Sequence, residues 1–256
     1  MPFGSIFYKF KEVDLTTADN VNVKFKNNLI TRIGFLILGM PHIGLRLRAR
    51  KIINNLPKNT LNVLDAGCGS GVYSFYLADK ASSIDSIDIS HEKISQVKKL
   101  SIFKNINFIE GDITKLKFKD SKFDLIICSD VLEHIKDDKK AFSELSRVLK
   151  SKGNLLLTVP SDSLKNKETY RQYGHERAGY NISQIKTYCE KNGLSIIRIE
   201  GYSSFLAEKL SNLSYKINRN NLLNGLFFYP LFWGSLICDS LLGGEYNGLF
   251  FKLKKN

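Results

Sequence analysis

From residue 61 onward, short apolar runs alternate with segments whose apolar residues recur every three or four positions. Apolar runs read as strands and the longer spacing as helices, so the alternation predicts a parallel sheet with crossover helices. The run 61–64 is the first strand. Ser90 is placed to cap a helix over 91–100, with Ile94, Val97 and Leu100 as its apolar stripe. A second helix over 137–149 lines up Ala141, Phe142, Leu145, Val148 and Leu149. A third, over 183–192, stops at Gly193, a suitable C-cap. Residues 194–201 and 247–254 read as the last two strands.

The ends follow a different pattern. Residues 1–28 have no clean period. In 30–56 the helical spacing of Leu29, Ile33, Leu36 and Ile37 breaks at Pro41 and resumes with Ile43, Leu47 and Ile52. Arg46, Arg48, Arg50 and Lys51 cluster on the second piece. Two readings stand: a broken helix aiming arginines at a phosphate or lipid head group, or an amphipathic helix with a solvated basic face. The chain therefore divides into an arm and helical extension, 1–58, and a domain, 59–256, carrying an insert at 202–246. Within the insert, 226–242 is strongly apolar. It falls short of the ~20 residues a membrane span needs and contains Pro230 and Asp239. It reads as an apolar lid, a core helix, or a peripheral membrane contact with Trp233 and Tyr229 at head-group depth.

The first strand runs into Asp65-Ala66-Gly67-Cys68-Gly69-Ser70-Gly71, followed by the helix-like Tyr73-Ser74-Phe75-Tyr76-Leu77-Ala78. Strand, glycine turn and helix start let a ligand approach bare backbone amides. Asp65 would repel a pyrophosphate but attract the ammonium of S-adenosylmethionine (SAM). The G-x-G-x-G spacing also lacks the later glycine of the dinucleotide fingerprint.

This stretch resembles motif I of the class I SAM-dependent methyltransferases, of the small-molecule, methyltransferase-11-like type. Further segments match in order: Ser83-Ile84-Asp85-Ser86-Ile87-Asp88-Ile89, then Asn107-Phe108-Ile109-Glu110-Gly111-Asp112-Ile113. Phe123 through Cys128, Ser129, Asp130, Val131, Leu132, Glu133, His134 and Ile135 resembles the fourth strand and its loop. Residues 149–160 resemble a helix end, a turn and the fifth strand. The resemblance covers 59–202. It implies an α/β, Rossmann-like sheet of seven mostly parallel strands, helices on both faces, with the last strand antiparallel between the fifth and sixth. It also implies SAM as cofactor, with Asp88 taking the ribose hydroxyls and Asp112 the adenine amino group. Asp65, Gly67, Cys68, Gly69, Ile89, Ile113 and Ser129 complete the cofactor set.

Methyl transfer is an in-line displacement that depends on positioning; a base is needed only for a weakly acidic nucleophile. Asp130 and His134 follow the fourth strand, at the edge where such sheets bind ligands. His175 lies on a polar, tyrosine-rich loop that should cover the substrate, and resembles a histidine facing the active site in some relatives. These three are the candidate catalytic residues. Arg171, Tyr173, Arg177 and Tyr180 on the same loop are candidates for binding the acceptor, an anionic one for the arginines. No metal is expected.

Net charge is +13 over 256 residues, which favours anionic partners. Nucleic acid is nevertheless disfavoured: the fourth strand is followed by Ser-Asp-Val-Leu, not the Asn/Asp-Pro-Pro-aromatic run of nucleobase amine methylation. Cys128 also lacks the preceding proline of cytosine-C5 enzymes. Cys68, Cys128, Cys189 and Cys238 are scattered and read as free thiols. With no basic start before an apolar core at the N-terminus, the expectation is a cytoplasmic protein, with possible membrane association through the insert. The expected function is SAM-dependent methylation of a small-molecule, saccharide- or lipid-linked acceptor at oxygen. The alternatives are a non-catalytic interaction protein on the same fold, an RNA methyltransferase, or a nucleotide-linked oxidoreductase, which Asp65 disfavours.

Overall fold

A computed structural model describes residues 43–58, 60–163, 170–204 and 246–256. Seven strands form one sheet in the order β3-β2-β1-β4-β5-β7-β6. They are β1 (Thr60–Ala66), β2 (Ala81–Asp88), β3 (Ile106–Glu110), β4 (Phe123–Ser129), β5 (Leu149–Pro160), β6 (Leu194–Ser204) and β7 (Tyr246–Lys255). The pairings from β3 through β5 are parallel, and β7 enters antiparallel between β5 and β6, as expected. The helices are α1 (Ile43–Asn54), α2 (Val72–Leu77), α3 (His91–Leu100), α4 (Asp138–Val148) and α5 (Ile182–Lys191).

Side-chain alternation along the strands explains the two core layers. Leu64, Ile126, Leu155, Leu157 and Phe251 face Phe142 and Leu145 of α4 and Ile185 of α5. Their neighbours Val63, Leu125, Ile127, Leu156 and Phe250 face the other way, onto Ile52 of α1, Phe75 of α2 and Ile94 and Val97 of α3. Each such buried side chain contributes about 1.5–3 kcal/mol relative to exposure. The described part of the extension, α1, therefore belongs to the same core as the sheet.

Capping follows the sequence. Ser90 accepts from the Lys93 amide at the start of α3, and Asp137 from Lys140 at the start of α4. Asn181 and Gln184 form a reciprocal capping box at α5. The expected helix end is at Leu149, the C-cap of α4, whose amide bonds the Leu145 and Ser146 carbonyls. Leu149 also pairs with Phe123, so the expected turn is instead a bulge within β5, with Lys152 at φ 63°, before pairing resumes between Asn154 and Leu125. β3 stops at Glu110, so Asp112 lies beyond the strand, capping a short 3-10 turn, Ile113–Lys115.

The sheet reverses direction of winding between β1 and β4, whose ends lie side by side with Asp65 opposite Ile127 and Ala66 opposite Cys128. Ligands bind outside the carboxyl ends at such a switch point. Residues 1–42, and with them the arm and Pro41, lie outside the described residues, as does the apolar segment 226–242. Among the described residues, no helix is long and apolar enough to cross a membrane.

Candidate active site at the carboxyl edge of the sheet

Asp65, the penultimate residue of β1, has its side chain buried, 2% exposed. Its Oδ2 accepts from the Ser74 hydroxyl at 2.5 Å and the Ser74 amide at 3.1 Å. Burial pushes its pKa up to about 6, with nearby Asp88 adding to the shift and the two Ser74 bonds resisting it. Asp65 thus fastens the start of α2 to β1 while remaining a poised carboxyl group at the switch point.

The glycine turn is shaped by its neighbours. The amides of Gly67 and Cys68 both donate to the Ile87 carbonyl, 2.8 and 2.9 Å away. Gly67 has φ 73°, and a Cβ there would stand 2.4 Å from Val131 Cγ2. Gly69 has φ 53°, but a Cβ there would meet nothing within 4 Å. Open space over bare backbone at Gly69 is what an approaching nucleoside requires. The Cys68 side chain is buried in the core and its thiol pKa is raised by burial, so this residue can offer a ligand only its backbone.

Asp88 closes β2. Its Oδ2 accepts from the Gly69 amide at 2.8 Å and its Oδ1 from the Ser90 amide at 2.9 Å. Two backbone donors fix the carboxylate plane and leave further lone pairs for hydroxyls. The next residue, Ile89, is 75% exposed. An exposed isoleucine directly after an oriented carboxylate offers an apolar wall beside a polar grip, which suits a base and its ribose. Asp112 holds Thr114 through its amide and hydroxyl, both at 2.8 Å. The Thr114 amide is the main reason the Asp112 pKa is lowered. Oδ2 lies 3.7 Å from Lys115 Nζ. The Ile113 side chain is buried in the core, so any contact it makes there is through backbone.

Beyond β4 the site is a hydrogen-bonded chain. Tyr73 OH lies 3.3 Å from Ser129 Oγ, which lies 3.0 Å from Thr158 Oγ1. Thr158 donates to Asp130 Oδ1 at 2.8 Å, and the Tyr202 hydroxyl donates to the same oxygen at 3.1 Å. Asp130 Oδ2 forms an ion pair with Arg48 of α1. Asp130 itself has φ 50°, in the left-handed region. Every oxygen of Asp130 is therefore committed. Asp130 stands just past β4 at the carboxyl edge of the sheet, and its geometry is that of an organising hub rather than a free base.

His134 and His175 come together, with ring centroids 4.5 Å apart and planes at 85°. His134 lies in the 3-10 turn Leu132–His134, and its Nδ1 bonds the Gly174 carbonyl at 3.1 Å. Burial, and then the neighbouring His134, push His175 down to about 4, so its imidazole is neutral and a weak proton acceptor near pH 7.

Two loop residues expected to bind the acceptor have other tasks. Tyr180 is 1% exposed, and its hydroxyl donates to Asp138 at 2.8 Å. Arg177 pairs with Asp138 at 2.7 Å and donates to Tyr180 OH and to the carbonyls of Leu132 and Lys136. Burial works against the Arg177 charge, but Tyr180 and Asp138 more than offset it, and its pKa rises. These contacts turn both side chains into anchors for the loop, because an arginine and a tyrosine can satisfy a buried aspartate more fully than solvent can. Arg171 is exposed and its Nε bonds the adjacent Tyr170 hydroxyl. Tyr173 lies on the same 3-10 turn, Tyr170–Tyr173, and its side chain is outside the described set.

Sequence reasoning missed Tyr73, Thr158 and Tyr202. Tyr202 marked only the edge of the insert. A Cβ at Gly248 would stand 2.2 Å from Tyr202 Cζ, so this glycine, paired with Tyr202 across β6 and β7, makes room for the ring. Cys68, Cys128 and Cys189 are free and buried, in agreement with the expected thiols; Cys238 lies outside the described residues.

Comparison with known proteins decides the family. The family model described as "Methyltransferase domain" matches residues 57–209. The chain belongs to this methyltransferase family. It is 32% identical over 163 residues to a ubiquinone/menaquinone biosynthesis C-methyltransferase of Rickettsia prowazekii, which is 58% of this chain and 64% of that protein. It is 36% identical over 105 residues to a malonyl-acyl-carrier-protein O-methyltransferase of Ilyobacter polytropus, 40% of each. The chain thus spans between two fifths and just under two thirds of the length of these relatives. Among solved structures it is similar to phosphoethanolamine N-methyltransferase 2 of Haemonchus contortus in complex with SAM. That match has TM-score 0.59 and 23% identity, covering 87% of this chain and 54% of the other. It is similar also to the cyclase SpnF, with TM-score 0.56 and 20% identity over 82% and 80%. The structural likenesses carry the fold. The methyl donor of the methyltransferase family is SAM, and the open backbone at Gly69, the oriented carboxylate of Asp88 and the exposed Ile89 fit such a ligand.

Proposed function

We propose that this methyltransferase transfers the methyl group of SAM to a small-molecule acceptor, saccharide- or lipid-linked, at an oxygen atom. The observation that carries the cofactor half is Asp88. It is held by the Gly69 and Ser90 amides with lone pairs to spare, beside open space at Gly69. When bound, SAM supplies an electrophilic methyl on a sulfonium. The chain's own residues do the rest. Asp65 offers negative charge to the amino-acid end, Asp88 grips the ribose, and Ile89 and Asp112 face the base.

The acceptor half rests on the chain Tyr73–Ser129–Thr158–Asp130–Tyr202, with the histidine pair beside it. Rigid hydroxyls tied to one carboxylate hold an acceptor with little reorganisation, and positioning can supply several kcal/mol of barrier reduction. Arg48, part of the basic α1, brings positive charge to this edge and suits an acceptor carrying an anionic group. Two relatives, one named a ubiquinone/menaquinone biosynthesis C-methyltransferase and the other a malonyl-acyl-carrier-protein O-methyltransferase, support a small-molecule acceptor and differ in the atom methylated.

Isothermal titration tests the cofactor half. SAM and S-adenosylhomocysteine should bind and NAD should give no heat, and Asp88→Ala should abolish SAM binding. Turnover is then read as S-adenosylhomocysteine release with phenolic, saccharide and acyl-carrier acceptors. A protein that gives heat with NAD and none with SAM would overturn the proposal.

A further inference from the structure

Glu133, His134 and His175 bring a carboxylate and two imidazoles to one point of the carboxyl edge, with donor atoms all within 4.8 Å of one another. They come from two segments: the Leu132–His134 turn after β4 and the loop after β5. Three bonds fasten these segments together. The Glu176 amide donates to the Glu133 carbonyl at 2.8 Å, Arg177 Nη1 to the Leu132 carbonyl at 3.1 Å, and His134 Nδ1 to the Gly174 carbonyl at 3.1 Å.

The last bond fixes a tautomer. A carbonyl can only accept, so Nδ1 carries the proton and Nε2 keeps its lone pair. Donation from the second ring nitrogen to a backbone carbonyl is the arrangement that orients a metal-bound imidazole. Glu133 is 1% exposed while His134 is exposed, so the triad is rooted in the interior and open to solvent on one side.

We infer that Glu133, His134 and His175 form a binding site for a divalent transition-metal cation of the zinc or cobalt class. Two imidazoles and one carboxylate with open positions suit these ions, whereas magnesium and calcium favour all-oxygen sets. Bonds of about 2.0–2.2 Å to the ion would hold its ligand atoms roughly 3–4 Å apart, so closure needs side-chain movement on the order of 1 Å. The ion would occupy the acceptor side of the site, near Asp130. Its catalytic use rests on the methyl-transfer proposal. A hydroxyl of the acceptor would take an open position and release its proton to water. The oxygen lone pair would then form the bond to the methyl carbon as the carbon–sulfur bond breaks, its electron pair staying on sulfur.

The test is metal uptake, read independently of turnover. Full-length protein stripped with EDTA is titrated with Co2+ and followed by visible absorption. One Co2+ per chain is expected, displaced by one Zn2+. His134→Ala and His175→Ala should each weaken Co2+ affinity tenfold or more. S-adenosylhomocysteine binding, measured on the same samples, should persist in both variants and shows that they are folded. No stoichiometric uptake by the parent protein, or uptake unchanged in both variants, overturns the site. Metal uptake without any S-adenosylhomocysteine binding would support the site and overturn the methyl-transfer reading instead.

Discussion

Arg48, on the helix that precedes the sheet, forms an ion pair with Asp130 at the tip of β4. The pair joins the N-terminal extension to the centre of the candidate site, and both side chains are mostly buried. Lys51, one turn further along α1, reinforces the attachment by pairing with Glu200 of β6 at 2.6 Å.

Removing that guanidinium should cost both stability and acceptor recognition. Arg48→Ala leaves a mostly buried carboxylate without its charged donor, at a cost of about 1.5–3 kcal/mol. Urea denaturation should register that loss. The expected kinetic signature is a raised KM for the acceptor with the SAM dissociation constant unchanged. An unchanged acceptor KM would remove Arg48 from the acceptor site.

Asp65 predicts a pH dependence of definite sign. Its pKa is raised from 3.8 to about 6 in the folded protein. The folded state therefore holds the proton more tightly, and the stability this contributes is complete below about pH 3.8 and lost as pH rises through 6. Asp65→Asn should match the parent at low pH and become the more stable protein above pH 6, by up to about 3 kcal/mol. The same variant should bind SAM poorly. In the parent, SAM affinity should fall as pH drops below 6, because the carboxylate facing the ammonium is then protonated. Thermal melts across pH 4–8 and titration calorimetry check both statements.

Gly67 and Gly69 should respond differently to alanine. Both have left-handed backbone, worth roughly 1–2 kcal/mol of strain for a side chain. At Gly67 the new methyl also collides with Val131, so Gly67→Ala should be clearly the less stable of the two. Gly69→Ala fills open space and should remain folded with little further loss, yet lose SAM binding. Parent-like SAM affinity in Gly69→Ala would show that the cofactor does not pass there.

Tyr180→Phe isolates the loop anchor. The hydroxyl accepts from Arg177 at 2.9 Å and donates to Asp138 at 2.8 Å, so its removal should cost about 1–2 kcal/mol. The loop carrying His175 is held by this knot. Hydrogen exchange over 170–180 should quicken while exchange in β1 and β2 stays slow.

The sequence by itself determined the alternation of strands and helices, the capped helix start at Ser90 and the glycine turn after Asp65, whereas the caps at Asp137 and Asn181 came from the structure. These are local matters: periodicity, cap chemistry and positive φ are properties of neighbouring residues. The end of β2 at Asp88 was likewise legible from local pattern, and the cofactor roles of Asp88 and Ile89 were what the family resemblance implied.

Only the tertiary structure decided what each polar side chain does. Arg177 and Tyr180 looked like acceptor ligands until Asp138, 39 and 42 residues earlier in the chain, proved to hold them. Asp130 looked like a free base until Arg48, Thr158 and Tyr202 converged on it from three elements. Tyr202 itself joins the site because Gly248 faces it across an antiparallel pair. A side chain's task depends on which partner reaches it first with compatible charge and geometry. That competition is fixed by strand order and register, which no local pattern encodes.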